Sequence, residues 1–271
     1  MLILAATPIG NLGDASPRFR EAISKAEHIA CEDTRSFKQL CGALQLSFHA
    51  KLHSLHDHNE REKLDALVQL ASSHDLVLVS DAGMPTISDP GYALVKACSE
   101  SEVEVSVIPG PSAVISALAI SGLPTDRFSF EGFLPRKAGE RQSVLKALAQ
   151  ETRTMIFFEA PHRLQESLEA MLQALGDRKA AVVRELTKKF EQAKRGSLGE
   201  LVEWAKSEPK GEMVIVVSGA GDKEHDYEQL GKQALELAAE GLGLKQAATD
   251  LASATGASKT VIYEHALRAK P

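Results

Sequence analysis

Short apolar runs alternate with amphipathic segments along the first half of the chain. Runs rich in Val, Ile and Leu occupy residues 2–6, 28–31, 76–79 and 103–108. Runs of this length and composition are typical of buried strands. Helical signals stand between them, such as Ser16 followed by Pro17, a favoured pair at a helix start. Strands that alternate with helices through short connections predict a largely parallel sheet.

The second half repeats this pattern and then loses it. Further strand-like runs occupy residues 128–133, 155–158, 180–183 and 213–217. From about Tyr227 onward the sequence is rich in Ala, Leu, Lys and Glu, and two helical segments flank a turn at Gly256, which is helix-turn-helix spacing. We therefore predict an α/β fold with two α/β domains, residues 1–111 and 112–222. A small all-α, helix-turn-helix-like domain follows at residues 223–271.

Turns rich in glycine and proline follow three of the predicted strands directly. They occupy residues 5–11, 80–91 and 109–113. Ligands of open α/β sheets bind beyond the carboxyl ends of the strands. Glycine lets the backbone approach a ligand, and proline fixes φ, so these turns predict one composite pocket that is shaped before its ligand arrives. Residues 159–163 and 184–189 follow later strands in the same way and extend the pattern.

The charge of the chain is mildly acidic but unevenly distributed. The net charge is −6, yet residues 178–195 hold seven Lys or Arg against two Glu, and residues 127–146 hold five against two. Such stretches can engage phosphate at one face, although each alone is also typical of a solvated helix surface. No apolar run is long enough to span a bilayer. Three cysteines without C-x-x-C spacing indicate a reducing compartment, so we expect a cytoplasmic protein without membrane contact.

Adjacent carboxylates at Glu32 and Asp33, followed by Arg35, end the second predicted strand. Carboxylates in this position are costly to bury, so they indicate either a functional group or a surface salt-bridge turn. Their negative charge is expected to raise the pKa of the neighbouring Cys31 thiol, which argues against a nucleophilic role for it.

Other candidate motifs carry less chemistry. A histidine-rich segment, which we place in a loop, is interpreted as structural or substrate-facing rather than as a metal site, and it comprises His53, His56, Asp57 and His58. The chain lacks G-x-G-x-x-G and the phosphate-loop order, so nicotinamide or nucleotide binding of those kinds has no support.

Six motifs, taken in order, resemble one family. They read Ala6-Thr7-Pro8-Ile9-Gly10-Asn11-Leu12, Cys31-Glu32-Asp33-Thr34-Arg35, Ser80-Asp81-Ala82-Gly83-Met84-Pro85-Thr86-Ile87-Ser88-Asp89-Pro90-Gly91, Gly132-Phe133-Leu134-Pro135, Phe158-Glu159-Ala160-Pro161-His162-Arg163 and Arg184-Glu185-Leu186-Thr187-Lys188. The set resembles the bacterial small-subunit rRNA methyltransferases of the tetrapyrrole-methylase-like superfamily. That resemblance implies S-adenosylmethionine bound in a cleft between two α/β domains, and a homodimer. It also implies 2′-O-methylation of a cytidine in the decoding region of small-subunit rRNA. The expected partner is that rRNA in the assembled ribosomal subunit, with naked rRNA or an assembly intermediate as the alternatives.

The same resemblance assigns candidate cofactor contacts. They are Pro8, Ala82, Gly83, Met84, Ile87, Ser112, Ala113, Phe158 (or its neighbour Glu159) and Leu186. The chain departs from the tetrapyrrole enzymes at two points, since its first turn is not G-x-G-P-G and Met84 stands where many relatives have aspartate. Only backbone contacts therefore carry over there.

The resemblance aligns Asp33 with an acidic acceptor of some relatives. We predict Asp33 as the base that takes the ribose hydroxyl proton, Glu32 as its substitute, and Arg35 as the group that orients the carboxylate or holds a phosphate. The predicted phosphate contacts are Arg136, Lys137, Arg141, Lys188, Lys189, Lys194 and Arg195, with residues 245–270 as a second candidate surface.

Two alternatives stay open from the sequence. The first is a methyltransferase that acts on a tetrapyrrole or another small acceptor, which would need neither the basic stretches nor the helical tail. The second is a non-catalytic nucleic-acid-binding protein, which the acidic net charge and the five strand-end turns disfavour.

Overall fold

The structure is a computed structural model that describes residues 1–56, 58–221 and 226–269. The described residues group into two compact units. The first comprises Met1–Ala149 and Arg153–Ser218, and the second comprises Gln150–Thr152 and Gly219–Pro271. Both β-sheets lie in the first unit. The boundary that we predict at residue 111 stays a prediction.

The first sheet is parallel throughout, as the strand–helix alternation predicts. Its strands are β1 (Leu2–Ala5), β2 (His28–Cys31), β3 (Lys51–Ser54), β4 (Leu76–Val79) and β5 (Val105–Ile108), in the order β3-β2-β4-β1-β5. Its helices are α1 (Pro17–Lys25), α2 (Thr34–Ala43), α3 (Glu60–Ser73) and α4 (Tyr92–Glu100). Strand β4 is apolar at every position because, as a central strand of a parallel sheet, it is buried on both faces.

Helix α1 begins as its sequence predicts. The Ser16 hydroxyl oxygen accepts a hydrogen bond from the Phe19 amide at 3.1 Å, and Pro17 is the first helical residue. Phe19 and Ile23 then face the sheet and are fully buried. The apolar stripe of the helix therefore covers one face of the sheet, while Leu67 of α3 and Leu94 of α4 cover the other.

The second sheet is mixed. Its strands are β6 (Phe128–Phe133), β7 (Thr154–Glu159), β8 (Lys179–Arg184), β9 (Gln192–Ser197) and β10 (Met213–Val217), in the order β6-β7-β10-β8-β9. Only the β6–β7 pair is parallel among these pairings. Helices α6 (Ala138–Ala147), α7 (Leu164–Leu175) and α8 (Leu198–Ala205) belong to this half. Helix α5 (Ala113–Ser121), which follows the first sheet, buries Val114, Ala117 and Leu118 against the second.

The second unit is helical, as predicted. It contains α9 (Tyr227–Ala239), α10 (Leu244–Thr255) and α11 (Lys259–Ala269) around Leu230, Ala234 and Ile262. Gly256 has φ +79°, which ends α10 in the left-handed conformation and gives the expected helix, glycine turn, helix. No helix among the described residues is long and apolar enough to cross a membrane.

Candidate active site

The first two strand-end turns are joined by backbone hydrogen bonds. The Thr7 amide donates to the Gly83 carbonyl at 2.9 Å, and the Gly83 amide donates to the Thr7 carbonyl at 3.2 Å. The buried Thr7 hydroxyl donates to the Ser80 carbonyl at 3.2 Å. The third turn is equally close, because a Cβ on Gly110 would lie 2.9 Å from the Ala6 Cβ. The three turns therefore form one continuous wall.

Two non-glycine residues of the second turn have left-handed backbone conformations. Thr86 has φ +74° and Ser88 has φ +64°, between the left-handed glycines Gly83 and Gly91. Such conformations cost on the order of 1–3 kcal/mol each and concentrate at ligand sites. They persist here because the turn is anchored at both ends. The Gly83 end is bonded to Thr7, and the Gly91 amide donates to the Glu60 carboxylate at 3.0 Å.

The loop after β8 closes the wall from the second sheet. A Cβ on Gly10 would lie 2.7 Å from Lys188 Cγ and 2.9 Å from the Leu186 carbonyl oxygen, so the first turn and this loop touch closely. Glu185 and Thr187 have φ +52° and +65°. The Lys188 ammonium holds this conformation by donating to Glu185 at 3.1 Å and to Glu212 at 2.9 Å.

These contacts shift the pKa values of Glu185 and Lys188. The Lys188 hydrogen bond lowers the pKa of Glu185. Burial lowers the pKa of Lys188, but its hydrogen bonds to Glu212 and Glu185 outweigh burial and raise it. The ion pairs therefore persist across the neutral range and keep the loop folded against the first turn.

A cavity of about 420 Å³ opens between these turns and the second sheet. Eight of the nine predicted cofactor contacts line it, namely Ala82, Gly83, Met84, Ile87, Ser112, Ala113, Phe158 and Leu186. Pro8 is outside the wall, and its neighbour Ile9 takes that place. Ten further lining residues are not among the predicted contacts. Ile9, Ser88, Asp89, Ala160 and Pro161 lie in turns that the sequence predicts to form the pocket, whereas Val114, Phe133, Glu212, Met213 and Val214 lie outside them. Met213 and Val214 begin an antiparallel strand, so only knowledge of its direction would place them at this edge.

The cavity suits a ligand of mixed character, as the expected methyl donor is. Its volume lies within the roughly 300–1,000 Å³ of small-molecule sites. Apolar and small residues make up most of the wall, and the rings of Phe133 and Phe158 meet edge to face with centroids 5.5 Å apart. At Gly83 an added Cβ would make a tight contact of 3.3 Å with Ile9 Cγ2, and φ is +86°, so this position of the wall favours glycine. The residues present fit an adenosyl ligand.

Glu159 forms part of the wall, but its carboxylate is committed to the fold. The group is buried and accepts hydrogen bonds from the Ser167 hydroxyl at 2.5 Å and the Ala160 amide at 2.8 Å. Arg163 pairs with it at 3.5 Å. Glu159 therefore shapes the turn after β7, and of the two alternatives the Phe158 ring is the better placed to touch a ligand.

The predicted base lies beside the second turn, outside the cavity wall. Asp33 is the N-cap of α2, and its carboxylate accepts from the Arg35 amide at 2.7 Å and from the Arg35 guanidinium at 3.3 Å. The Arg35 amide is the main cause that lowers the pKa of Asp33. The Asp33 amide donates to the Asp81 carboxylate at 3.4 Å, which ties the end of β2 to the second turn. Glu32 and Arg35 are likewise outside the wall.

The Cys31 thiol is unreactive at neutral pH, as expected. Burial raises its pKa to about 12, with smaller contributions from the Asp81 and Asp33 carboxylates. The direction of this pKa shift and the role of Asp33 were predictable from sequence, while burial is the larger cause.

The predicted phosphate contacts divide into exposed and engaged groups. Arg136, Lys137 and Lys189 are exposed, although the Lys137 ammonium is paired with Glu140 at 2.9 Å. Arg195 is also exposed, but its guanidinium donates to the Ser121 carbonyl at 3.0 Å at the end of α5. Lys194 is half-buried, and Lys188 is held by its two carboxylates.

Arg141 is a correction to the predicted phosphate contacts. Only 3% of the residue is exposed. Its guanidinium pairs with Glu166 and donates to the Arg136 carbonyl at 3.3 Å. Arg141 therefore supports the loop after β6 from inside and is unavailable to RNA. Its sequence neighbours do not reveal this, because the partner Glu166 comes from α7.

The histidine-rich segment also differs from expectation. His53 lies in β3 rather than in a loop, and its Nε2 is 3.2 Å from Nδ1 of His28. His56 Nε2 contacts the Asn59 side-chain amide at 3.0 Å. Asp57 lies outside the described residues. The first two histidines therefore have structural partners, in line with the structural interpretation.

Comparison with known proteins fits this geometry. A model of the tetrapyrrole (corrin/porphyrin) methylases matches residues 1–202. Among solved structures, the methyltransferase CobJ has a TM-score of 0.60 at 18% identity, covering 83% of this chain and 96% of that one. Diphthine synthase has a TM-score of 0.59 at 15% identity, covering 80% and 89%. Both likenesses concern the fold. The class of protein is thus a methyltransferase with the tetrapyrrole methylase fold.

Curated relatives narrow the class. The chain is 43% identical to ribosomal RNA small subunit methyltransferase I of Escherichia coli O157:H7, over 98% of this chain and 94% of the relative. It is 44% identical to the protein of the same name in Mycobacterium tuberculosis (strain CDC 1551 / Oshkosh), over 99% and 95%. The chain belongs to the ribosomal RNA small subunit methyltransferase I family of the tetrapyrrole methylases, which confirms the resemblance carried by its motifs.

Proposed function

We propose that this enzyme transfers the methyl group of S-adenosylmethionine to the 2′-hydroxyl of a cytidine ribose in small-subunit rRNA. The observation that carries the proposal is identity of 43–44% over nearly the whole chain to relatives named for small-subunit ribosomal RNA. The six ordered motifs support the ribose position and the decoding region. The proposal includes a cytoplasmic enzyme that acts on the assembled ribosomal subunit, and the resemblance of its motifs supports a homodimer.

The cavity wall positions the donor. S-adenosylmethionine, when bound, supplies a methyl group that the positive sulfur has already activated, so positioning carries much of the catalysis. The paired Thr7 and Gly83 backbone fixes one side, and Ser112, Ala113 and Leu186 present small or backbone surfaces on the others. The Phe158 ring offers a flat apolar face to an adenine.

Asp33 is the proposed base, and Asp89 is its competitor. Arg35 lowers the pKa of Asp33 below its ordinary value, so the group is fully ionised at neutral pH, and its contact with Asp81 places it beside the second turn. Asp89 lies in the cavity wall itself. Loss of a general base costs about 10²–10⁴-fold in rate. We expect Asp33→Asn to lose that much in single-turnover methylation with unchanged cofactor affinity. If Asp89→Asn loses methylation activity and Asp33→Asn does not, the general base is Asp89.

The loop after β8 is the proposed RNA-facing edge of the cavity. Leu186 lines the cavity, and a few residues later Phe190 is 65% exposed with the Lys189 ammonium 5.6 Å from its ring centroid. An exposed aromatic ring beside a cation can stack an unpaired base and hold the adjacent phosphate. Arg136, Lys137, Lys194 and Arg195 are the other proposed contacts.

Transfer of labelled methyl groups to small subunits that lack the modification tests the whole proposal. Nucleoside mass spectrometry should detect a 2′-O-methylated cytidine. Methylation of a porphyrinoid instead, with untouched subunits, would support the small-acceptor alternative. A methylated base in place of a methylated ribose would retain the RNA substrate and overturn the proposed acceptor atom.

A further inference from the structure

A cluster of metal-ligating side chains lies at the edge of the first sheet opposite the candidate active site. Glu27 precedes β2, His28 is its first residue, and His74 lies between α3 and β4. His28 and Leu76 are register partners on adjacent parallel strands, so these residues meet at the amino ends of the strands. One ligand atom from each residue can be chosen so that all lie within 4.8 Å of one another. The active-site turns, in contrast, follow the carboxyl ends.

Both imidazoles are held by contacts to their Nδ1 atoms. His28 Nδ1 lies 3.2 Å from His53 Nε2, and His74 Nδ1 lies 2.9 Å from the Ser73 hydroxyl. These contacts engage Nδ1 of each ring, so Nε2 is the nitrogen that we assign to the metal. Metal-binding histidines commonly have this arrangement, in which a partner on the other nitrogen fixes the tautomer and the ring plane. The two rings also meet edge to face with centroids 5.3 Å apart.

The donor set identifies the class of ion. Two imidazole nitrogens and one carboxylate oxygen suit Zn²⁺ and similar divalent transition metals, whereas Mg²⁺ and Ca²⁺ prefer oxygen ligands. Zinc–ligand distances of about 2.0–2.2 Å bring tetrahedral ligand atoms to within roughly 3.3–3.6 Å of each other. Because Glu27 and His74 are exposed and His28 is half-exposed, side-chain rotation alone can close the remaining gap.

The surroundings give an ion access. Glu27 and His74 line a second cavity of about 530 Å³ that also includes Lys25 and Asp75. The Lys25 ammonium is paired with Glu21 at 2.6 Å, and the amino group of Met1 is paired with Asp75 at 3.2 Å. The charges of Lys25 and the Met1 amino group are thus balanced by carboxylates outside the ligand set, whereas Lys51, the register partner of His28, and Lys63 also act on His53.

We propose that Glu27, His28 and His74 form a binding site for one Zn²⁺-class ion, with water in the fourth position and His53 as a positioning residue. The ion would join the turn before β2 to the turn before β4. The site is independent of methyl transfer, since the two sites lie at opposite edges of the sheet. It would therefore act on the stability of the fold.

Titration of the metal-free full-length chain with Zn²⁺ tests this inference, by calorimetry and by competition with a chromophoric chelator. We expect one ion per chain, and affinity reduced at least ten-fold in Glu27→Gln, His28→Ala and His74→Ala. His53→Ala should weaken binding by about 10–100-fold, as loss of a supporting partner does. Co²⁺ in the same site should show the visible absorption of tetrahedral coordination.

His49→Ala is the matched control, because His49 is an exposed histidine of the same unit outside the cluster. It should bind Zn²⁺ as the unmodified chain does. Zn²⁺ should also raise the unfolding temperature of the unmodified chain and of His49→Ala, but not of Glu27→Gln. Because Glu27 is exposed, Glu27→Gln should fold normally, so loss of the effect would not be due to misfolding. No binding, or binding reduced equally by His49→Ala, would overturn the site.

Discussion

Gly10 is the residue on which contact between the first turn and the loop after β8 depends. Its missing Cβ leaves room for the Leu186 carbonyl and the Lys188 stem. In Gly10→Ala the new methyl group must displace backbone, and overpacking of this kind costs about 1–3 kcal/mol. We expect cofactor affinity to fall at least ten-fold, measured by calorimetry, with a lower unfolding temperature.

Gly42→Ala is the control for that substitution. Gly42 lies within α2 and has nothing within 4 Å of an added Cβ. Alanine there should leave cofactor affinity unchanged and stabilise the helix slightly. Equal behaviour of the two variants would mean that the close contact at Gly10 does not shape the cavity.

Cys31 offers a second test at the residue scale. Because burial raises its pKa to about 12, the thiolate is scarce at pH 8. We expect alkylation of Cys31 in the folded protein to be far slower than in denaturant, when followed by peptide mass spectrometry. Rapid modification under native conditions would contradict both the burial and the assigned charge environment.

Single residues were predictable where their neighbours in sequence determine their environment. The acidic neighbour of Cys31 gave the direction of its pKa, and Ser16 with Pro17 gave the start of α1. Arg141 was not predictable, because its burial depends on Glu166 of α7, which is distant in sequence.

At the scale of elements, the loop after β8 depends on the ion pairs of Lys188. Because folding raises the pKa of Lys188, its ion pairs contribute their full stability below about pH 10.4, the pKa of lysine in the unfolded chain. That contribution is lost as pH rises through the pKa of Lys188 in the folded protein. Because folding lowers the pKa of Glu185, this carboxylate stabilises the fold above about pH 4.3, the pKa of glutamate in the unfolded chain. That stability is lost as pH falls through the pKa of Glu185 in the folded protein. We expect Lys188→Gln to lower the unfolding temperature by a constant amount between pH 5 and 9, and by less above pH 10.5. A difference that does not shrink in alkali would argue against the ion pairs.

Phe190 tests whether the same loop meets RNA. Phe190→Ala removes an exposed ring, so the fold and the cofactor affinity should be unaffected, while loss of base stacking costs about 1–3 kcal/mol. We expect KM for the ribosomal subunit to rise by about ten-fold or more, and Phe190→Trp to restore it. Tyr92→Ala, at an exposed aromatic residue of α4, is the comparison. Unchanged KM in Phe190→Ala would remove the ring from the proposed interface.

Central strands were predictable, but two of the four edge strands, β3 and β9, were not. The apolar runs of β4 and β10 identify strands that are buried on both faces. Lys51–Ser54 and Gln192–Ser197 form edge strands with polar, partly exposed side chains, so periodicity gives no strong signal there. Missing β3 is also why His53 was placed in a loop.

At the scale of the whole molecule, the helical second unit is the other candidate RNA surface. Lys245, Lys259 and Arg268 are exposed on α10 and α11, and Lys270 lies outside the described residues. The triple alanine variant should bind RNA more weakly, and the slope of log affinity against log salt should fall by about 2 if all three meet phosphate. Cofactor affinity should not change. An unaltered salt slope would exclude these three residues from the interface.

The arrangement of the whole fold was predictable in outline only. Strand–helix alternation gave two α/β halves and the helical tail, and the strand-end turns gave one pocket. The direction of β10 could not be read from sequence, because a buried antiparallel strand and a buried parallel strand have the same apolar composition. For that reason the sequence does not predict that Met213 and Val214 line the cavity.

We expect the hydrogen bonds that join Thr7, Ser80 and Gly83 to affect turnover as well. A wall that is fixed before binding loses little entropy when a ligand enters. It holds the donor and the spent, demethylated donor through the same surfaces, because the two molecules differ by one methyl group and one charge. The enzyme therefore has little means to prefer one over the other. Spent donor should compete with fresh donor at similar concentrations, and its departure should limit the rate of successive methylations.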